Sequence, residues 1–133
     1  MEIYLAARYG RRMDMLEFAN VLRYMGHTVT SRWINGDHQA SDADLACGGV
    51  SPDDATRFAV EDMEDLMAAS CCICFSETPR GTTSRGGRHV EFGIAIGRGL
   101  RCIVIGPREN VFHALPGIEW YPDVLSFLKT YMD

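Results

Sequence analysis

Short apolar runs alternate along this chain with longer stretches whose apolar residues recur every three or four positions. Ile3–Ala7 is a continuous apolar run of strand length. Over residues 11–25, Met15, Phe18, Leu22 and Met25 keep helical spacing, and Gly26 follows as a stop signal. Thr28–Trp33 reads as a second strand. Residues 34–51 are polar and rich in Gly, Asp and Ser, and so long a stretch inside a compact domain predicts a functional flap. Ser51, Pro52 and Asp54 then open a helix that runs to about Ala69, with Ser as its N-cap and Pro at its first position. Cys71–Phe75 is a third strand, residues 76–87 a second polar loop, and residues 88–97 a helix apolar nearly all round. Arg101–Ile105 is a fourth strand. A helical turn over 110–115, a short strand at Glu119–Tyr121 and a helix over 122–131 close the chain.

Strand and helix alternate, so the expected fold is a single α/β domain over 1–133: a doubly wound parallel sheet of four to five strands with helices on both faces. In such sheets ligands bind outside the carboxyl ends of the strands. Here the loops that follow the strands begin near Arg8, Ile34, Ser76 and Gly106.

Composition narrows the function classes. The net charge of −5 argues against long nucleic acid as a partner, since phosphate neutralisation needs a basic surface. No apolar run approaches the ~20 residues of a membrane span, and MEIYLAARYG does not have the pattern of a secretion signal. The five cysteines are odd in number and three fall in one strand, which predicts reduced thiols and a cytoplasmic setting. Cys71 and Cys74 have no second ligand pair at metal spacing, so no metal site is expected.

Two carboxylates stand out. Glu91 sits at the start of an apolar helix, in GGRHVEFGIAIGRG. A capping box would want Ser or Thr at 88, where this chain has Arg, so a cap, a salt bridge to Arg85 or Arg88, and a reactive group all stay open. Around the 51–69 helix at about 100° per residue, Asp62 alone of the acids in EDMED falls on the arc of Phe58 and Leu66. A carboxyl turned toward apolar neighbours holds its proton and suits a general acid. An ionised Glu91 and a neutral Asp62 would make the carboxylate pair that cleaves glycosidic bonds.

Arginines cluster at the same sheet edge: Arg8, Arg11 and Arg12 after the first strand, and Arg80, Arg85 and Arg88 around the 76–88 loop. With the backbone N–H groups at Gly87 they suit a phosphate, while Arg11 and Arg12 also read as solvated surface charges. Neither GxxxxGK[ST] nor a GxGxxG after the first strand is present. Trp33 beside the flap suits stacking on a base but also suits the core. Tyr4 lies inside the first strand, and His89 and His113 have no placed partner.

IYLAARYGRR, AVEDMEDLMAAS and GGRHVEFGIAIGRGLRCIVIGPREN, in that order and over nearly the whole chain, resemble the nucleoside 2-deoxyribosyltransferase family, which includes deoxynucleoside 5′-monophosphate N-glycosidases. The resemblance implies a flavodoxin-like sheet and cleavage of an N-glycosidic bond through a covalent deoxyribosyl-enzyme. It makes Glu91 the nucleophile, Asp62 the base contact and proton donor, and Tyr4 the residue that orients Glu91. Six residues before the nucleophile the transferases carry an Asp that contacts the sugar; here the position is Arg85, which tilts the expectation toward a 5′-phosphate. The family also borrows a residue from a neighbouring subunit, for which Asn110 and His113 are the candidates, so a homodimer or higher homo-oligomer is expected. Arg8, Trp33, Arg85, Gly87, Arg88, Asn110 and His113 complete the expected substrate site, with no cofactor.

The activity expected is therefore transfer or hydrolysis at a 2′-deoxynucleoside or its 5′-monophosphate. Two other classes fit part of the pattern: a non-catalytic nucleotide sensor on the same fold, and a TIR-like NAD glycohydrolase, which also uses a Glu on an α/β sheet.

Overall fold

Five strands, β1 (Glu2–Ala6), β2 (Thr28–Val29), β3 (Cys71–Phe75), β4 (Arg101–Ile105) and β5 (Glu119–Tyr121), form one parallel sheet in the order β2–β1–β3–β4–β5. The computed structural model describes residues 1–36, 51–82 and 84–132. Helices α1 (Arg12–Tyr24), α2 (Pro52–Met67), α3 (Gly87–Gly97) and α4 (Val124–Met132) connect and flank the strands. The expected α/β architecture is the one found, and the strand order is that of flavodoxin-like folds. The flap expected over 34–51 lies outside the described residues from 37 to 50, as does Cys47.

All five residues of β3 are buried, as are Ile3, Tyr4, Leu5 and Ala6 of β1 and the last four of β4. Strands covered on both faces need continuous apolar runs, which is why these segments read as unbroken rather than alternating. α1 covers one face with Met15, Phe18, Ala19 and Leu22, and Phe18 meets Phe75 and Phe127 edge-on at 5.2 and 5.7 Å. The opposite face carries α2 and α3, and Tyr4 points into it. Ser51 caps α2 as predicted, its hydroxyl accepting from the Asp54 N–H at 3.1 Å.

Two boundaries differ from expectation. The second strand ends at Val29, and Trp33 stands in a 3-10 turn over Arg32–Asn35. Its indole N–H donates to the Leu5 carbonyl at 2.8 Å, which holds the turn across the end of β1. The first helix starts at Arg12, after a 3-10 turn at Tyr9–Arg11. At the other end of the sheet edge, Gly106 turns with φ +121°, and a Cβ there would come within 2.7 Å of the Ser76 Oγ. That close approach lets the Ser76 hydroxyl donate to the Pro107 carbonyl and ties the exits of β3 and β4 together.

Candidate active site

α3 opens on Gly86 at φ +85°, without any side-chain cap, and runs inward over the sheet. Glu91 therefore lies at the start of the second turn rather than in the first, as expected from a start at Arg88. Its Oε2 accepts the hydroxyl proton of Tyr4 from β1. This contact bears on the open question about Glu91: its side-chain hydrogen bond comes from a tyrosine of the sheet, and Arg88 pairs elsewhere. Burial alone pushes the Glu91 carboxyl up to about 8. The ionised Glu91 of the sequence reading has this desolvation against it, and the Tyr4 hydroxyl for it.

Asp62 and Glu91 line one cavity of about 260 Å³, with Ala59, Met63, Leu66, Gly87, Val90 and Ile94 as its other walls. The helical wheel that placed Asp62 on the inner face of α2 was right about that residue and wrong about its neighbours. Asp65 is more buried than Asp62, at 6% exposure, and Glu61 is half-buried. The true inner stripe runs through Phe58, Asp62, Leu66 and Ala69, with Glu61 and Asp65 beside it, whereas Val60, Met63 and Met67 are exposed. Apolarity misplaced the arc because Arg32 draws the acids inward. Asp65 accepts from the Arg32 N–H and Nε at 2.9 and 2.8 Å, and Glu61 stands 3.4 Å from the same guanidinium.

The arginines are mostly spent inside the protein. Arg8 and Arg11 clamp Glu77, just past β3, at 3.3 and 3.2 Å, and Arg11 also lies over the Phe75 ring. Arg12 donates to the Ile34 carbonyl at 3.1 Å. Arg88 is buried and makes a bidentate pair with Glu109, just past β4, at 2.6 and 2.8 Å. The expected phosphate role of Arg88 is thereby displaced, and Arg11 and Arg12 are not loose surface charges. Arg85 is exposed, with neither a hydrogen bond nor an ion pair to the described residues.

The remaining expected residues divide. Trp33 is only 4% exposed, with its N–H used by Leu5, which gives it a core position rather than an open stacking face. His113 is 1% exposed, so it is packed within its own chain and cannot be lent to a neighbour. Its Nδ1 accepts from the Glu109 N–H at 3.0 Å, and burial lowers its pKa, with His89 adding to the effect. Asn110 is exposed and caps a 3-10 turn over Val111–Ala114. Beside it, His89, Phe92, Gly93, Ile96, Val111 and Phe112 border an apolar groove of about 550 Å³ on the outer side of α3. Glu77 and Glu109 were not anticipated as site residues. Their position two and four residues past buried strands was the available signal, since charged side chains there stand at the ligand edge of the sheet.

No protein-family profile matches the chain, and no curated protein sequence matches it. Among solved structures, the chain is similar to the Clostridium botulinum CMP N-glycosidase BcmB, at 20% identity, over 99% of this chain and 98% of that one, with a TM-score of 0.57. The likeness covers the whole fold end to end and agrees with the flavodoxin-like sheet.

Proposed function

We propose that this chain is an enzyme that cleaves the N-glycosidic bond of a 2′-deoxynucleoside or its 5′-monophosphate. The observation that carries the reading is the Tyr4–Glu91 hydrogen bond at a cavity that Asp62 shares. Glu91 attacks C1′ through a carboxylate oxygen, and the C1′–N bond breaks with its electron pair leaving on the base. Asp62 gives a proton to the departing base nitrogen. Water, or an N–H nitrogen of a second base, then attacks C1′ as its proton passes back to Asp62, and the C1′–O bond breaks with its electron pair on Glu91, freeing the carboxylate. The Tyr4 hydroxyl favours the ionised carboxylate that must attack and holds it in one rotamer. The apolar walls, Met63, Leu66, Val90 and Ile94, suit a flat heteroaromatic base. Arg85, exposed at the mouth of the loop before α3, is the cation assigned to a 5′-phosphate.

Similarity in fold to a CMP N-glycosidase supports this class over a silent nucleotide sensor. The exposed Val111 and Phe112 beside the α3 groove support a homodimer. The test is a panel of nucleosides and 5′-monophosphates, CMP included, incubated with and without an acceptor base and analysed for free base and exchanged nucleoside. Base release by the wild type, and its loss in Glu91→Ala with the fold intact, are expected. Nicotinamide release from NAD in place of base release would move the chain to the TIR-like class.

A further inference from the structure

Arg88 and Glu91 are three positions apart on α3, so their side chains leave the same face of the helix, with Cβ atoms about 5–6 Å apart. Arg88 is 3% exposed, and its Nε–H is buried without an acceptor among the described residues, while Glu91 is half-buried. An under-satisfied buried cation beside a half-buried carboxylate would normally pair with it, because the pair relieves the desolvation of both charges. It does not. The guanidinium reaches away to Glu109, and Glu91 is left to Tyr4.

Glu109 is built to hold it there. Its Oε1 also accepts the Glu77 N–H at 3.0 Å, and its own N–H is fixed on His113 Nδ1 at 3.0 Å. Arg88 gives a further hydrogen bond to His89 Nε2 at 2.9 Å. Burial would raise the Glu109 carboxyl, but the Arg88 and Glu77 hydrogen bonds outweigh it and keep Glu109 below the usual range. It therefore remains charged as the partner of Arg88. On the Glu91 side, burial raises the carboxyl, and its hydrogen bond comes from Tyr4.

We propose that Glu109 is a positioning residue for Glu91: by holding the Arg88 guanidinium at the exit of β4, it keeps that cation off the Glu91 carboxylate and leaves Glu91 to Tyr4. The inference deepens the proposed function, since it takes Glu91 as the nucleophile. Without Glu109, Arg88 swings to the carboxylate on its own helix, ionises it at lower pH and turns it away from the reacting carbon. The other titratable groups around Glu91 among the described residues are Tyr4 on β1 and Asp62 on α2. Glu77 and Cys74 lie on the Arg88 side, at the end of β3.

The experiment titrates Glu91 directly, by carbon-detected NMR of the intact chain carrying labelled glutamate, with Glu91→Gln as the assignment control. In Glu109→Gln the Glu91 midpoint falls by about one pH unit or more. In the double variant Arg88→Met/Glu109→Gln it returns to the wild-type position, a recovery that a purely structural role for Glu109 would not produce. The acid limb of kcat/KM shifts in the same sense in Glu109→Gln, while kcat at neutral pH drops about tenfold and KM stays within a factor of two or three. Glu109→Asp, which keeps the charge but shortens the reach, gives a smaller fall in the midpoint and carries the test if Glu109→Gln does not fold. An unmoved midpoint in the folded single variants, or no return in the double variant, overturns the proposal. Titration needs no substrate, so a wild type that releases no base sinks the proposed reaction while the titration still decides the role of Glu109.

Discussion

Glu91 is held in a state that costs the fold and, under the proposed function, serves the chemistry. Its carboxyl is pushed up to about 8 in the folded protein and returns to about 4.5 when unfolded. The folded state therefore binds the extra proton between those values, and stability falls as pH rises from about 4.5 to about 8, then levels. Glu91→Gln removes this penalty. Its melting temperature at pH 8 should exceed that of the wild type, with a gain on the order of a few kcal/mol, and the gain should vanish near pH 4. Activity runs the opposite way: kcat/KM of the wild type should climb toward pH 8 as Glu91 ionises. A profile flat from pH 5 to 8 would remove Glu91 from the nucleophile role. Tyr4→Phe deletes the hydroxyl that favours the ionised form, so kcat/KM at pH 7 should drop about 10- to 100-fold and its acid limb should move further up. Thermal melting separates that loss from unfolding.

At the scale of elements, α2 shows how far pattern reading goes. Its start was legible because Ser51, Pro52 and Asp54 act locally on backbone groups within one turn. Its facing was not, because facing is decided by Arg32, twenty residues earlier in the chain, which draws Asp65 and Glu61 to the inner side. Asp65→Ala should lower the melting temperature by about 5 °C through the lost Arg32 contacts, leaving the acid limb of kcat/KM in place. Trp33 teaches the same lesson. TVTSRW alternates like a strand, yet the indole N–H finds the Leu5 carbonyl and the chain turns into a 3-10 helix after Val29. The strands at the centre were read nearly to the residue, since a run buried on both faces has no alternative use for CCICF or RCIVI. The arginines misled for a physical reason. Their carboxylate partners lie far along the chain, 69 residues from Arg8 to Glu77 and 21 from Arg88 to Glu109, and spacing carries no trace of such pairs.

For the whole molecule, the sheet places Tyr4 within β1 and Glu77 and Glu109 past the ends of β3 and β4, and α2 and α3 close over one face with Asp62 and Glu91. The outer side of α3 carries the groove bordered by Val111 and Phe112, which are 80% and 61% exposed. Under the homodimer reading, Phe112→Asp should convert the species seen by sedimentation into monomer without changing its circular dichroism. A wild type that is already monomeric at micromolar concentration would discard that reading and leave the glycosidase chemistry to stand by itself.

The thiols at the middle of the sheet have a practical consequence. Cys71, Cys72 and Cys74 on β3 and Cys102 on β4 are all buried, with Cys72 directly opposite Cys102. Burial pushes the Cys71 and Cys74 thiols to about 12 and Cys102 to about 11, so in the closed sheet they are protonated and out of reach of alkylating reagents. They react when β3 and β4 part, an opening that dismantles the core. In a chain with Cys47 replaced by Ser, the labelling rate becomes a clock for sheet opening that runs under assay conditions. A variant that stops releasing base while its thiols stay silent has lost chemistry and kept its fold.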